Sequence, residues 1–183
     1  MQRLLVVVDM QNDFIDGSLG TKEAQAIVPG VIERIKTFEG TVLFTRDTHT
    51  KNYLQTAEGK KLPIEHCIKG TKGWELQADI DSLQKELKAP VFDKITFGSK
   101  GLAEYISDNI VAFGGISSIV ICGLCTDICV ISNALLLKAY LPEIPIVIDS
   151  SICAGVTPQS HDNALKAMEM CQIEVAEGFA SNM

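Results

Sequence analysis

Ile121-Cys122-Gly123-Leu124-Cys125-Thr126-Asp127-Ile128-Cys129-Val130 carries an apolar run through a glycine turn into a helical pattern. A strand that passes directly into a helix is the repeating unit of an α/β fold, and the turn joining them lies at the strand's carboxyl end. Cys129 falls in the first turn of the expected helix. There, unpaired backbone N–H groups and the positive end of the helix dipole favour a thiolate and can receive an oxyanion beside it. The segment therefore predicts a fold class and a nucleophile together.

The same alternation continues on both sides of it. Unbroken apolar runs predict strands over 4–8, 41–45, 91–92, 118–121, 144–148 and 173–176. Runs such as Leu4-Leu5-Val6-Val7-Val8, without period-two alternation, indicate strands covered on both faces, as in a parallel sheet flanked by helices. Helical periodicity predicts helices over 24–37, 79–87, 100–109, 127–140 and 158–170. Pro29 lies near the first turn of the first pattern, Thr126 or Asp127 can cap the fourth, and Thr157-Pro158 opens the last.

With 183 residues and 46% hydrophobic content, the chain is expected to form a single domain over 1–183. Its net charge is −7 and its longest basic stretch is Lys60-Lys61, which argues against nucleic acid or an acidic membrane surface as partner. A small neutral or modestly charged ligand fits better. Only five apolar residues separate Arg3 from Asp9, too few for the apolar region of a signal peptide, and no segment reaches the length of a membrane span. A cytoplasmic location is expected, and in that reducing setting the six cysteines point to burial, metal binding or catalysis rather than disulfides.

Residues 47–74 break the alternation. They have no long apolar period, contain Gly59, Pro63, Gly70 and Gly73, and include two of the three histidines, His49 and His66. A connection this long in a compact domain is usually functional or disordered.

Ligands of an open parallel sheet bind beyond the carboxyl ends of its strands. The polar residues expected there are Asp9, Asp47, Asp93-Lys94, Cys125 to Cys129 and Asp149, all of which could meet in one crevice. A thiol with a pKa of about 8.5 needs a neighbouring base or cation to act as a nucleophile, and Asp9 and Lys94 offer one of each. Taken singly, Asp9 reads equally well as a turn cap, Lys94 as a solvated strand-end lysine, and Cys129 as a small buried hydrophobe.

Three separated motifs, Val-Val-Asp9-Met-Gln-Asn-Asp-Phe14, Asp47-Thr-His49 and Gly123-Leu-Cys-Thr-Asp-Ile-Cys129-Val, resemble those of the isochorismatase-like cysteine hydrolases, in the same order and over nearly the whole chain. The resemblance implies a three-layer αβα fold of the doubly wound, Rossmann type, with a six-stranded parallel sheet. It implies a catalytic triad of Asp9, Lys94 and Cys129. It also implies a cis peptide at Leu124–Cys125 that turns the backbone amides of Cys125 and Cys129 toward an oxyanion.

Asp47-Thr-His49 followed by His66-Cys67-Ile-Lys-Gly-Thr looks most like the nicotinamidase branch, in which such residues bind a divalent metal, zinc foremost and iron or manganese as alternatives. An aspartate and two imidazoles also suit a transition metal with open positions on chemical grounds. Where many relatives place another histidine this chain has Tyr53, and Glu58 corresponds to a glutamate that some relatives use if one extra residue is allowed; Glu65 reads as solvated. Phe14 matches an aromatic that packs near the substrate ring. The aromatic often found just before the metal-binding histidine is replaced by Leu62 or Pro63.

The spacing Cys122-x2-Cys125-x3-Cys129 also admits an iron–sulfur or zinc site, but Cys122 belongs to the strand and Cys129 to the helix, and no second CxxC completes a set. Cys153 and Cys171 read as buried, Cys67 as support for the His66 loop and His161 as structural. The expected activity is hydrolysis of nicotinamide to nicotinate and ammonia through a cysteine thioester. The alternatives are another amide hydrolase of the same family, acting on a carbamoyl or ureido compound, and a non-catalytic thiol protein with a redox pair Cys125/Cys129. Homo-oligomerisation is an implication of the resemblance.

Overall fold

A computed structural model describes residues 1–178. In chain order its elements are β1 (Gln2–Val8), α1 (Asn12–Ile15), α2 (Lys22–Thr37), β2 (Thr41–Asp47), a 3₁₀ turn (Tyr53–Gln55), α3 (Ala57–Lys61), α4 (Ala78–Leu87), β3 (Val91–Lys94), α5 (Lys100–Asp108), β4 (Ile116–Leu124), a π-helical turn (Thr126–Val130), α6 (Ile131–Tyr140), β5 (Ile146–Ala154), α7 (Pro158–Met170) and β6 (Glu174–Ala176). The six strands form one parallel sheet in the order β3-β2-β1-β4-β5-β6. Helices cover both faces: α2 packs on β4 and β5 beside α4, while α5, α6 and α7 pack against one another, with α5 on β3 and α6 and α7 on β5. Leu4 to Val8 are fully buried, as an apolar run in a central parallel strand requires. Among the described residues no helix is long and apolar enough to cross a membrane.

The expected elements are present, with four local differences. Helix α2 begins at Lys22, capped by the Thr21 side chain, so Pro29 lies inside it rather than in its first turn. Proline at that point forgoes one helical hydrogen bond, and burial of Ala24, Ile27, Val31 and Ile35 along one face carries the helix past it. The following Gly30 allows the close approach to the sheet, since a Cβ there would stand 2.5 Å from Ile152 Cγ2. The long connection after β2 contains the 3₁₀ turn and α3, elements too short to show a period. Strands β4 and β5 extend well past their expected ends, to Leu124 and Ala154.

The fourth difference bears on the nucleophile. The expected α-helix over 127–140 opens as a π turn, Thr126–Val130, and the α-helix starts only at Ile131. Neither Thr126 nor Asp127 caps it. Thr126 Oγ1 is 2.8 Å from His161 Nδ1, and the Asp127 carboxylate accepts the Val156 amide at 3.1 Å, so both side chains tie the turn to the segment after β5 and to α7. A wider turn of this kind is common at functional sites, because it re-aims side chains without ending the helix.

Candidate active site

The strand order reverses at β1, whose neighbours β2 and β4 run on in opposite directions, and the crevice at that switch opens beyond the carboxyl ends of the strands. Asp9 follows β1, Asp47 ends β2, Lys94 ends β3, and Cys125 to Cys129 follow β4. In register, Asp47 stands beside Lys94 and Val8 beside Gly123. Gly123 has φ +113, and a Cβ on it would lie 2.2 Å from the Val8 carbonyl oxygen; only glycine allows this approach of β4 to β1. The peptide Leu124–Cys125 is cis, as the resemblance implied.

Lys94 Nζ is the hub. It lies 2.6 Å from Asp9 Oδ2, 3.3 Å from Cys129 Sγ and 3.6 Å from Asp47 Oδ1, with all four residues buried. Burial alone would lower the lysine pKa, but the charges of Asp9, Cys129 and Asp47 and the hydrogen bond to Asp9 hold it above its ordinary value, so the ammonium is a fixed cation. Burial raises the Asp9 carboxyl, Lys94 opposes this, Asp47 adds to it, and the balance lies above the ordinary value. Asp9 is held in a left-handed backbone conformation (φ 47), with its Oδ1 accepting from Thr45 Oγ1 at 2.6 Å.

The expected stabilised thiolate is not what the surroundings of Cys129 favour. Burial pushes its thiol well above the usual range, the Asp9 charge adds to this, and Lys94 only partly offsets it. The resting group is a thiol beside a carboxylate. Forming the nucleophile therefore requires moving the proton to a neighbour rather than losing it to water. Burial, followed by the charges of Asp127 and Asp9, likewise raises the Cys125 thiol to about 12.

The second cluster adjoins the first through Asp47. Donor atoms of Asp47, His49 and His66 lie within 4.8 Å of one another. His49 Nε2 is 2.8 Å from Asp47 Oδ2, and His66 Nε2 is 3.6 Å from the same oxygen. Glu58 Oε1 is 3.7 Å from both imidazole nitrogens, which brings the glutamate of α3 to the cluster although its place in the chain was ambiguous. His66 Nδ1 faces the Ile64 carbonyl at 2.8 Å; a carbonyl can only accept, so that nitrogen donates, and Nε2 is the one turned to the cluster. Two buried imidazoles aimed at a buried carboxylate, with a second carboxylate nearby, form a donor set that fits a divalent transition metal. Burial opposes the ionised form of Asp47, but the His49 hydrogen bond and the Lys94 charge outweigh it and lower its pKa. For His49, burial acts downward, and Asp47 and Glu58 bring the balance above the ordinary value.

Tyr53 packs its ring 4.6 Å from His49 and 4.9 Å from His66 and donates its hydroxyl to the Leu62 carbonyl at 2.9 Å. It supports the imidazoles from behind. Phe14, on α1, lies with its ring centroid 5.6 Å from that of His66 and lines the same cavity. That cavity, about 650 Å³, is lined by Asp47, Glu58 and His66 together with Cys125 and Cys129.

Not every strand-end carboxylate converges there. Asp93 points away to Arg46 (2.7 Å) and Lys69 (3.3 Å), because neighbouring residues in a strand face opposite sides and Lys94 takes the inner one. Asp149, expected to follow the fifth strand, lies inside β5, which runs on to Ala154; it forms a buried pair with Arg34 of α2 at 2.6 Å and accepts from Ser151 Oγ at 2.6 Å. Cys122 and Cys153 are buried, Glu65 is exposed, and Cys171 is exposed rather than buried as expected. Cys67 shapes the His66 loop: its amide donates to Asp13 Oδ2 at 2.7 Å and its carbonyl accepts the His49 amide at 2.9 Å.

Two residues that the sequence did not single out hold the site together. Gln11 donates from Nε2 to the carbonyls of Asp47 and Trp74, both at 2.8 Å, and accepts the Asp47 amide at 2.7 Å. Asn133, on α6, donates to the Cys129 carbonyl at 2.8 Å and accepts the Ser99 amide at 2.9 Å, pinning the nucleophile turn to the segment after β3. The Gln11 signal lay in the motif from Asp9 to Phe14; an amide in the middle of a helix such as Asn133 has no local signature.

Similar proteins share this architecture. A nicotinamidase of Schizosaccharomyces pombe is 28% identical over an alignment covering 93% of this chain and 91% of its own. The crystal structure of a nicotinamidase/pyrazinamidase from Bacillus subtilis superposes with a TM-score of 0.81 at 26% identity, over 97% of this chain and all of that one. A pyrazinamidase of Pyrococcus horikoshii, determined in complex with zinc, gives 0.77 at 25% identity, again over 97% of this chain and all of that one. The isochorismatase domain matches residues 3–178, and the chain belongs to that family.

Proposed function

We propose that the protein hydrolyses a small pyridine carboxamide, nicotinamide, to nicotinate and ammonia through a thioester on Cys129. The observation that carries this reading is the position of Lys94 Nζ, 2.6 Å from Asp9, 3.3 Å from Cys129 and 3.6 Å from Asp47, which joins the thiol to the Asp47/His49/His66 cluster beside a cavity lined by Cys129, Asp47 and His66. A thiol, a base and a fixed cation suit attack on an amide carbon, and the adjoining donor set for a metal suits a ring nitrogen. The likeness to nicotinamidases supports the same substrate.

Asp9 takes the proton of Cys129 as sulfur attacks the carbonyl carbon, and Lys94 balances the negative charge shared by carboxylate and sulfur. The backbone amides of Cys125 and Cys129 are assigned to the developing oxyanion. Collapse of the tetrahedral species expels the amide nitrogen, which leaves as ammonia with the proton from Asp9. Water, deprotonated by Asp9, then attacks the thioester; the acid departs and the proton returns to sulfur. Asp47, His49 and His66, with Glu58, would hold a divalent ion, zinc by preference, which supplies a Lewis acid for the pyridine nitrogen. Phe14 packs against the ring.

The test is ammonia release from nicotinamide by metal-loaded protein, with Cys129→Ala and Asp9→Asn as controls. Turnover that persists in Cys129→Ala sinks the covalent scheme. Release from a carbamoyl or ureido compound but not from nicotinamide, without a stoichiometric ion, would assign the site to the other amide hydrolases of the family.

A further inference from the structure

The cavity is larger and greasier than the proposed substrate requires. About 650 Å³ lies within the range that holds drug-sized ligands, roughly 300–1,000 Å³, well above what one six-membered ring and one carboxamide fill. Beside its polar residues the cavity is walled by Leu19, Leu62, Ile95, Phe97, Ile128 and Val156. Of these, Ile95, Phe97 and Val156 are 78%, 45% and 50% exposed, so the apolar wall continues outward to a rim open to solvent. Scattered exposed hydrophobics need no explanation, but three converging on the mouth of the site that holds Cys129 mark a surface for ligand contact.

Resting on the reading above, we propose that this chain prefers pyridine carboxamides carrying an apolar substituent on the ring edge opposite the catalytic floor, at carbon 5. Asp47, Lys94 and the turn bearing Cys129 all rise from strand ends, and these strand ends form the floor of the crevice. A ring with its nitrogen toward Asp47, His49 and His66 and its carboxamide toward Cys129 turns the edge between those two positions, carbon 2, to that floor. Carbon 5 lies directly across the ring and points to the mouth. An alkyl group there meets Ile95, Phe97 and Val156, whereas a hydrogen leaves them in water. Of the charged residues that line the cavity, Asp47 and Glu58 belong to the imidazole cluster, and Lys61 adjoins Leu62 in the chain.

The experiment compares nicotinamide with 5-propylnicotinamide on the metal-loaded enzyme, and separately measures binding of the corresponding acids to Cys129→Ala by calorimetry. The propyl compound should have a kcat/KM higher on the order of tenfold, expressed mainly in KM, and its acid should bind more tightly by a similar factor. In the double variant Phe97→Ala/Ile95→Ser both preferences should fall toward unity. Equal or poorer use of the propyl compound while nicotinamide turns over overturns this inference and leaves the hydrolase reading intact, as does a preference that survives in the double variant. Tighter binding of the propyl acid with no turnover of either amide overturns the hydrolase reading and keeps the apolar preference. Neither binding nor turnover overturns both.

Discussion

The Lys94 ammonium sits 2.6 Å from Asp9 Oδ2, and each of the two residues is almost completely buried. A buried ion pair holds only while both partners are present, because removing one leaves an uncompensated charge away from water. Lys94→Met should therefore cost several kcal/mol, about 3–5 by analogy with other broken buried pairs. It should also lower kcat by at least a hundredfold, since Asp9 then holds a proton and cannot accept one from Cys129. Urea unfolding and ammonia release measure the two effects. A variant with wild-type kcat would remove the lysine from the proposed mechanism.

Alkylation of Cys129 by iodoacetamide should depend on pH in a specific way. Burial disfavours the thiolate and raises the Cys129 thiol, so in the absence of substrate its reaction rate should still be climbing above the ordinary thiol value of about 8.5. Cys125, pushed up to about 12 by its own burial, should likewise react slowly near neutral pH. Peptide mass spectrometry resolves the two. A rate for Cys129 that is flat from pH 6 upward would indicate a preformed thiolate.

Gly123→Ala should be among the most damaging single substitutions in the chain. Its Cβ would stand 2.2 Å from the Val8 carbonyl oxygen, in a central strand pair, at φ +113. Neither backbone can yield without breaking the sheet at the site, and a loss of at least about 3 kcal/mol is expected in denaturant unfolding. Gly70→Ala, with φ +84 but open space around it, should cost distinctly less.

Asn133→Ala tests positioning rather than chemistry. It leaves the buried Ser99 amide without its acceptor and frees the Cys129 carbonyl, at a cost of about 1–3 kcal/mol. Because the nucleophile turn loses its anchor and the cavity walls stay, kcat should fall about tenfold or more while KM changes little. Steady-state kinetics on folded protein decides it, and an unchanged kcat would make Asn133 purely structural.

Metal content should follow the donor geometry. His49→Ala and His66→Ala should each reduce the ion bound per chain, measured by elemental analysis after dialysis, by tenfold or more at limiting metal. Glu58→Gln, whose carboxylate is 3.7 Å from both imidazoles and partly exposed, should weaken retention less. Chelation should abolish ammonia release, and metal add-back should restore it.

Much of the fold was legible because a parallel sheet buried on both faces requires unbroken apolar runs, and such runs are rare elsewhere. Leu4 to Val8 and Ile119 to Cys122 are fully buried in adjacent strands for that reason. The glycine near the end of β4 and the polar residues at strand ends were visible as breaks in those runs. The π turn was not visible: its residues keep the composition of a helix, and its hydrogen bonds follow from the side-chain ties of Thr126 and Asp127 to segments about thirty residues away.

Sequence by itself determined an α/β chain with a base, a lysine and a thiol at the ends of three of its strands, because local periodicity sets where strands stop. It could not decide which carboxylates share a crevice. Asp9 and Asp47 join Lys94 while Asp93 and Asp149 turn to Arg46 and Arg34, since strand order and the alternating faces of each strand select the partner. Nor could it decide the state of Cys129. The helix terminus argued for a thiolate, but complete burial in the tertiary structure outweighs that local field and leaves a thiol that must hand its proton to a neighbour.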